Sequence, residues 1–396
     1  MRVIYPVIFA SAVLLIFGLL EILLLRTLNK EWWKRKYIRR MALFLPMLGV
    51  AGVLTWFTAS YHRIGWLSLI GSTTTAAVLI LLLGLMLSLP FSGILHIIHR
   101  WLEKRRTGKS TRPFDDRRRV FLKGAAAALP IATVAISAGG VTRAFGDTNV
   151  ELKPMYFEIL PDQLDGLKIL HITDSHLGVY KFLPDLEYVL QKAEKYHPDI
   201  VLVTGDVADD LTLLPGALEM IADYAVPHGA YACLGNHEYY RGIETVLEIY
   251  GKSQVPLLRD SGATIGINGA ELFLAGVDDP VTMRGDTSKF TRQAIARSLT
   301  DAPANVFKIL MAHRPDAFDY ASAHGVDLVL SGHMHGGQVG VNGRSLFEPF
   351  MPERYLWGEY ADGSAQMYLS CGIGHWFPFR LGCPPEAPVI QILKKA

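Results

Sequence analysis

The sequence predicts an α/β domain carried behind an all-α, multi-pass membrane region. Three observations lead there. Half of the 396 residues are hydrophobic and only 19% are charged, with a mean hydropathy of +0.24. The net charge of +2 hides a division: residues 1–150 hold twenty Lys/Arg against six Asp/Glu, and residues 151–396 hold nineteen against thirty-one. From Leu167 onward, short apolar runs alternate with amphipathic stretches, the signature of strands alternating with helices. Such a chain is long enough for two or three domains and too apolar to be disordered. Its two halves of opposite sign argue against one basic surface for nucleic acid. Three cysteines (Cys233, Cys371 and Cys383) are too few for a disulfide framework or a zinc ribbon.

Residues 3–25 contain one charge, Glu21; residues 41–60 and 66–90 contain none, and a further apolar piece runs to 98. A helix rises 1.5 Å per residue, so about 20 apolar residues cross the ~30 Å hydrocarbon layer. Residues 1–100 are therefore expected to supply three transmembrane helices. The loop 26–40 holds seven Lys/Arg, 61–65 holds one and 99–123 holds ten. The excess of positive charge puts the first and third loops in the cytoplasm. Residues 101–150 follow as a basic cytoplasmic loop and a fourth apolar segment, and 151–396 as the second domain. Arg118-Arg119-Val120-Phe121-Leu122-Lys123, ahead of the Ala/Gly-rich run 124–141, resembles a twin-arginine export signal. Arg117 stands where such signals prefer Ser or Thr, and the internal position is a second departure. The alternative is a plain fourth span. Either way, everything past residue 145 is expected outside the cytoplasm, on the periplasmic face of a bacterial inner membrane. The export machinery would be a partner in the first case. Thr142-Arg143-Ala144 is a poor cleavage site, which predicts a retained span.

In the second domain, residues 167–173, 199–205 and 229–235 read as strands, and 186–197 and 216–225 as helices. Further strands are expected at 272–278, 307–313, 326–332 and 367–372. Ligands of such folds bind beyond the carboxyl ends of the strands. The polar residues stand at those ends: Asp174-Ser175-His176, Gly205-Asp206-Val207-Ala208-Asp209, Gly235-Asn236-His237-Glu238, Ala312-His313 and Gly332-His333-Met334-His335. Imidazoles, carboxylates and one carboxamide, without a thiolate, suit Mn, Fe or Zn in a catalytic site. A single histidine at a strand end is ordinarily structural; five such clusters in order are not.

Those five blocks, D-x-H, G-D-x-x-D, G-N-H-E, H and G-H-x-H, resemble the calcineurin-like metallophosphoesterase superfamily. Gly336-Gly337-Gln338 and Pro378-Phe379-Arg380…Pro384-Pro385-Glu386 are similar to its bacterial, often membrane-bound branch. The resemblance implies a four-layer α/β/β/α sandwich over about residues 150–396 and says nothing of the first three spans. It implies two divalent metal ions. Asp174, His176, Asp206 and His335 would hold one; Asp206, Asn236, His313 and His333 would hold the other, with Asp206 bridging. Cations ~3.5–4 Å apart need an anionic bridge, and such a pair binds phosphoryl oxygens and acidifies water for in-line attack. His237 would be the acid at the leaving oxygen. Asp209 and Glu238 would orient ligands, and Arg380 would orient a ligand, meet a phosphate or form a structural salt bridge, for instance with Glu386.

His171 reads as a core histidine and Cys233 as a small apolar residue. Cys371 and Cys383 are a possible disulfide in an oxidising compartment. The run His375, Trp376, Phe377 and Phe379 is expected to pack internally, with a rim for a lipid-like substrate as the alternative. The expected activity is hydrolysis of phosphodiester or lipid- and envelope-linked phosphoester bonds, without specific nucleic-acid binding. A phosphomonoesterase or nucleotidase is the alternative enzyme. In another class, the chain would be a transporter or sensor whose phosphoesterase fold only binds; the spans lack the paired charges a translocation path needs.

Overall fold

The structure is a computed structural model and describes residues 4–62, 64–104, 116–279, 287–352, 354–375 and 377–395. Two compact units divide the chain at Arg143/Ala144, with Phe377–Phe379 grouped with the first.

The first unit is helical: α1 (Ile4–Thr27), the short α2 (Lys30–Trp33), α3 (Lys36–Tyr61), α4 (Gly65–Lys104) and α5 (Asp116–Ala144). Four of these are long and apolar enough to cross a bilayer, with mean hydropathies of 2.7, 1.8, 2.5 and 1.7. The third expected span is one continuous 40-residue helix with Pro90 inside it, and the fourth apolar segment is helical from Asp116 to Ala144. Small residues bring α3 and α4 together. A Cβ on Gly52 would stand 2.8 Å from Thr75 Oγ1, and one on Gly71 would run into the Trp56 backbone. Close backbone approach of this kind replaces the hydrophobic drive that helices lack inside lipid. The side chains of Arg118 and Arg119 lie outside the described residues.

The second unit contains two sheets. The first has the order β1-β13-β2-β3-β4, built from β1 (Leu152–Phe157), β2 (Lys168–Ile172), β3 (Ile200–Thr204), β4 (Ala230–Cys233) and β13 (Val389–Lys394). The second has the order β11-β12-β8-β7-β6-β5, from β5 (Ser261–Ile267), β6 (Ala270–Gly276), β7 (Phe307–Met311), β8 (Leu328–Ser331), β11 (Gly358–Asp362) and β12 (Ala365–Leu369). The central strands β2-β3-β4 and β12-β8-β7-β6 run parallel, so their carboxyl ends lie on one side of each sheet. A small hairpin of β9 (Gly340–Val341) and β10 (Arg344–Ser345) stands apart.

Three apolar cores separate four layers. Helices α6 (Leu183–Ala193), α7 (Leu214–Asp223) and α8 (Asn236–Lys252) cover the first sheet through Leu186, Val189, Leu218 and Val246. Ile169, Leu202, Leu274, Ile309 and Leu330 fill the space between the sheets. Helices α9 (Thr287–Ser298) and α10 (Phe318–Ala321) cover the second sheet through Ile295, Phe318 and Ala321. The alternation of inward faces follows from the two-residue period of a strand: Ile169 and Leu170 of β2 belong to different cores. The chain therefore forms the expected α/β/β/α sandwich. Strands β1, β5, β11 and β13, which carry mixed polar and apolar residues, escaped the sequence reading.

Candidate metal centre

Each strand-end motif leaves its strand by an abrupt turn. Asp174, His176, Asp206, His333 and His335 all have positive φ, between 46 and 72°. A side chain rarely adopts this backbone, at a cost on the order of 1–3 kcal/mol each, and such strain gathers where function over-determines geometry. Gly332 and Gly235 make the turns possible. A Cβ on Gly332 would collide with the Asp174 carboxylate and Thr173 Oγ1, and one on Gly235 with the Asp206 carboxylate.

Two His/Asp clusters result. In one, His335 Nε2 lies 3.4 Å and His176 Nε2 3.8 Å from Asp174 Oδ1, and the two ring nitrogens are 3.3 Å apart. In the other, His313 Nε2 lies 3.2 Å from both Asp206 Oδ2 and Asn236 Oδ1, and His333 completes the group. Asp206 Oδ2 is also 3.7 Å from His176 Nε2. One carboxylate oxygen thus faces both clusters.

Ligand atoms ~2.1 Å from one ion are ~3.0–3.4 Å apart, so these separations and this donor set fit divalent transition metals. Burial opposes charge on His313, but Asp206 and Asp174 beside it push its imidazole up to about 10. Burial leads in bringing His335 down to about 3, with the neighbouring His176 adding to it against Asp174. His176 is held well above its ordinary value: burial acts against it and Asp209, Asp174 and Asp206 prevail. The carboxylates thus favour positive charge at His176 and His313.

The surrounding groups fix these side chains. His313 Nδ1 faces the Thr204 carbonyl oxygen at 2.8 Å, leaving Nε2 for the centre. Asp174 accepts the backbone N–H of His333 at 2.9 Å and the hydroxyl of Thr173 at 2.7 Å. Glu238 touches none of the candidate ligand side chains; it accepts the backbone N–H groups of Asp206, Val207 and Gly235 at 3.0, 2.9 and 2.8 Å. It thereby caps α8 and pins the Asp206 turn at once. Asp209 accepts from His237 Nδ1 at 2.6 Å and His176 Nδ1 at 3.2 Å, and Arg241 Nε donates to it at 3.0 Å. Burial opposes its charge, and the histidines hold its carboxyl well below the usual range.

His237 is 20% exposed and lines a cavity of about 450 Å³ together with His176, Asp206, Asn236, His333 and His335. The far wall, Met334, Phe347, Met351 and Leu356, was missed by the sequence reading. So were Thr173, Thr204, Arg241 and Arg314, whose Nη1 lies 2.9 Å from His333 Nε2 and whose Nε donates to Asp279 at 2.9 Å. Arg314 directly follows His313, which is the one sequence signal for it.

Some expectations fail. Arg380 does not pair with Glu386. It is fully buried, and its Nη2 donates to the carbonyls of Cys371 (2.8 Å) and Gly374 and lies 3.4 Å from His335 Nδ1. Glu386 instead accepts from Trp357 Nε1 and the Cys371 N–H. Arg380 is enclosed because it neutralises converging carbonyls at the turn behind the metal cluster, which leaves it no face for a phosphate. Cys371 and Cys383, the candidate pair, lie in one buried cluster with Trp357, and Cys371 Sγ donates to the Pro384 carbonyl at 2.9 Å. His375 stacks on Tyr180, with ring centroids 4.9 Å apart, so it packs internally; Trp376 lies outside the described residues.

Comparison with known proteins agrees with this geometry. The calcineurin-like phosphoesterase family matches residues 167–337, a span that holds all seven candidate ligands. A metallophosphoesterase of Aquifex aeolicus is 33% identical over 231 residues, covering 58% of this chain and 86% of that protein. This chain belongs to the metallophosphoesterase family. A metallophosphoesterase of Helicobacter pylori strain J99 is 30% identical over 258 residues, 61% of this chain. The chain spans only 63% of that relative's length. The Escherichia coli phosphodiesterase YaeI is 28% identical over 288 residues, covering 70% of this chain and 99% of its own.

Proposed function

We propose that this metallophosphoesterase is a membrane-anchored enzyme that hydrolyses phosphodiester or lipid- and envelope-linked phosphoester bonds outside the cytoplasm. The observation that carries the reading is Asp206 Oδ2, placed 3.2 Å from His313 Nε2 and 3.7 Å from His176 Nε2. A carboxylate shared by two ligand clusters is what a pair of divalent ions requires. Asp174, His176, Asp206 and His335 would hold one ion, and Asp206, Asn236, His313 and His333 the other, with Mn, Fe and Zn all compatible. When bound, the two ions supply positive charge for the phosphoryl oxygens and acidity for a water, so no phospho-enzyme is needed.

The protein's own groups do the rest. Asp209 holds His237 by Nδ1, which turns the other ring nitrogen toward the cavity to give the leaving oxygen its proton. Arg241 and His176 keep Asp209 in place. Arg380 acts behind His335 and orients it.

Location rests on the positively charged loops and on the twin-arginine-like run 118–123 ahead of the Ala/Gly-rich stretch 124–141, read as a retained export signal. The domain division 1–100, 101–150 and 151–396 belongs to the same reading.

The test is full-length protein with Mn²⁺, a bis-aryl phosphodiester and an aryl monoester. The diester is expected to be cleaved faster. Asp206→Ala should lose both metal and activity. His237→Ala should keep its metal and lose roughly 10²–10⁴-fold in kcat. If neither ester is cleaved and Asp206→Ala retains its full metal content, the proposal is wrong.

A further inference from the structure

A small phosphodiester needs no apolar wall, yet the cavity at the metal centre has one. Met334, Phe347, Met351 and Leu356 line the same cavity of about 450 Å³ as His176, Asp206, His333 and His335. Leu356 is buried, whereas Phe347 and Met351 stay 43% and 47% exposed. Beyond them on the same turn, Leu346 is 49% and Phe350 81% exposed. The apolar lining of the cavity therefore continues onto the surface.

Ordered backbone carries these side chains. Asn342 and Gly343 both have positive φ, 50 and 78°, and close the β9–β10 hairpin in the manner of a tight two-residue turn. A 3₁₀ turn, Glu348–Phe350, follows. Gly337 has φ 59°, and a Cβ there would stand 2.7 Å from Phe347 Cδ2. The missing Cβ lets the Phe347 ring lie against the segment that carries His335. A large exposed apolar patch beside a polar pocket marks a binding surface. The chain also bears four helices suited to a bilayer, which brings amphiphiles within its reach.

We propose that the substrate is a lipid phosphoester, whose phosphoryl group enters the His/Asp clusters while its hydrocarbon chain lies along Met334, Phe347 and Met351 toward Phe350. This rests on the phosphoesterase reading above. Water adds to phosphorus, the P–O bond to the leaving alcohol breaks, and that alcohol takes a proton; the lipid stays on the phosphate or leaves with the alcohol.

The experiment uses full-length protein in nanodiscs with Mn²⁺ and two probes, p-nitrophenyl methyl phosphate and p-nitrophenyl hexyl phosphate. Each yields p-nitrophenolate and an alkyl phosphate, so only the chain differs. A fully buried methylene is worth about fourfold, and partial cover of the added chain predicts a hexyl-to-methyl kcat/KM ratio of roughly 30. Phe347→Ser with Met351→Ser should bring the ratio within about threefold of one. If that double variant does not fold, Phe350→Ser with Met351→Ser, at exposed positions, should lower the ratio at least threefold. A wild-type ratio near one overturns the inference and leaves the phosphoesterase standing. A high ratio that survives in the variants also overturns it, because partition into the bilayer then explains it. Cleavage of neither probe removes the phosphoesterase reading itself.

Discussion

At the scale of single residues, the side chains around the centre matter as much as those in it. His171 is fully buried, with Nε2 2.8 Å from Thr204 Oγ1. Burial brings its imidazole down to about 3, against 6.5 for an ordinary one. The unfolded chain therefore binds the extra proton between pH 6.5 and 3. Stability from a neutral His171 is complete above pH 6.5 and is lost as pH falls toward 3. His171→Gln does not titrate, and its unfolding free energy should fall less steeply with acid, by up to about 1.4 kcal/mol per pH unit. Urea titrations at pH 6, 5 and 4 measure this; parallel slopes for the two proteins would count against a neutral buried His171. Glu238 offers a second case. Glu238→Gln replaces an acceptor with an amide facing a backbone N–H, which costs about 1–3 kcal/mol. Loosening the Asp206 turn should weaken metal binding about 10–100-fold, read by Mn²⁺ titration against a chelating dye.

At the scale of elements, strand ends and glycine turns form the centre. The sequence runs at β2, β3, β4, β6, β7, β8 and β12 were legible because they are apolar and end in turn residues. Strand β13 was not: its Val389–Lys394 run closes the chain without a turn signal, and only pairing between β1 and β2 makes it a central strand. The site residues were legible as types at strand ends. Their left-handed backbone was not, since Asp and His adopt φ near 50° only as a minority conformation and no glycine stands at Asp174 or His335 to announce it. Gly332 tests this scale. Gly332→Ala should push the Asp174 carboxylate away from the His333 N–H it accepts. Metal content should fall by at least one ion per chain while the far-ultraviolet circular dichroism stays unchanged. Full occupancy in this variant would show that the turn tolerates a side chain.

At the scale of the whole molecule, charge and hydropathy divide the chain between membrane and domain. The loop Lys/Arg counts, seven at 26–40 and ten at 99–123 against one at 61–65, set the expected orientation. A reporter active only outside the cytoplasm, fused after residue 150, is expected to be active. Removing the positive charges of 26–40 should lower that signal several-fold. A silent but stable fusion would place the domain inside. Of the aromatic run at 375–379, His375 packs internally as expected, and the apolar lining of the cavity comes from the 334–356 segment.

Residue type and hydropathy are properties of the chain in one dimension, so the sequence by itself determined the apolar helices, the strand-and-helix alternation and the seven candidate ligands. Tertiary structure alone decided the rest. It put Asp206 within reach of both His176 and His313, and buried Arg380 among carbonyls rather than beside Glu386. It also brought Phe347 and Met351 into the cavity that His237 lines. The Asp206 and Phe347 placements join segments far apart in the chain, at distances that only the packing of the fold sets, whereas Arg380 turns onto carbonyls six and nine residues away.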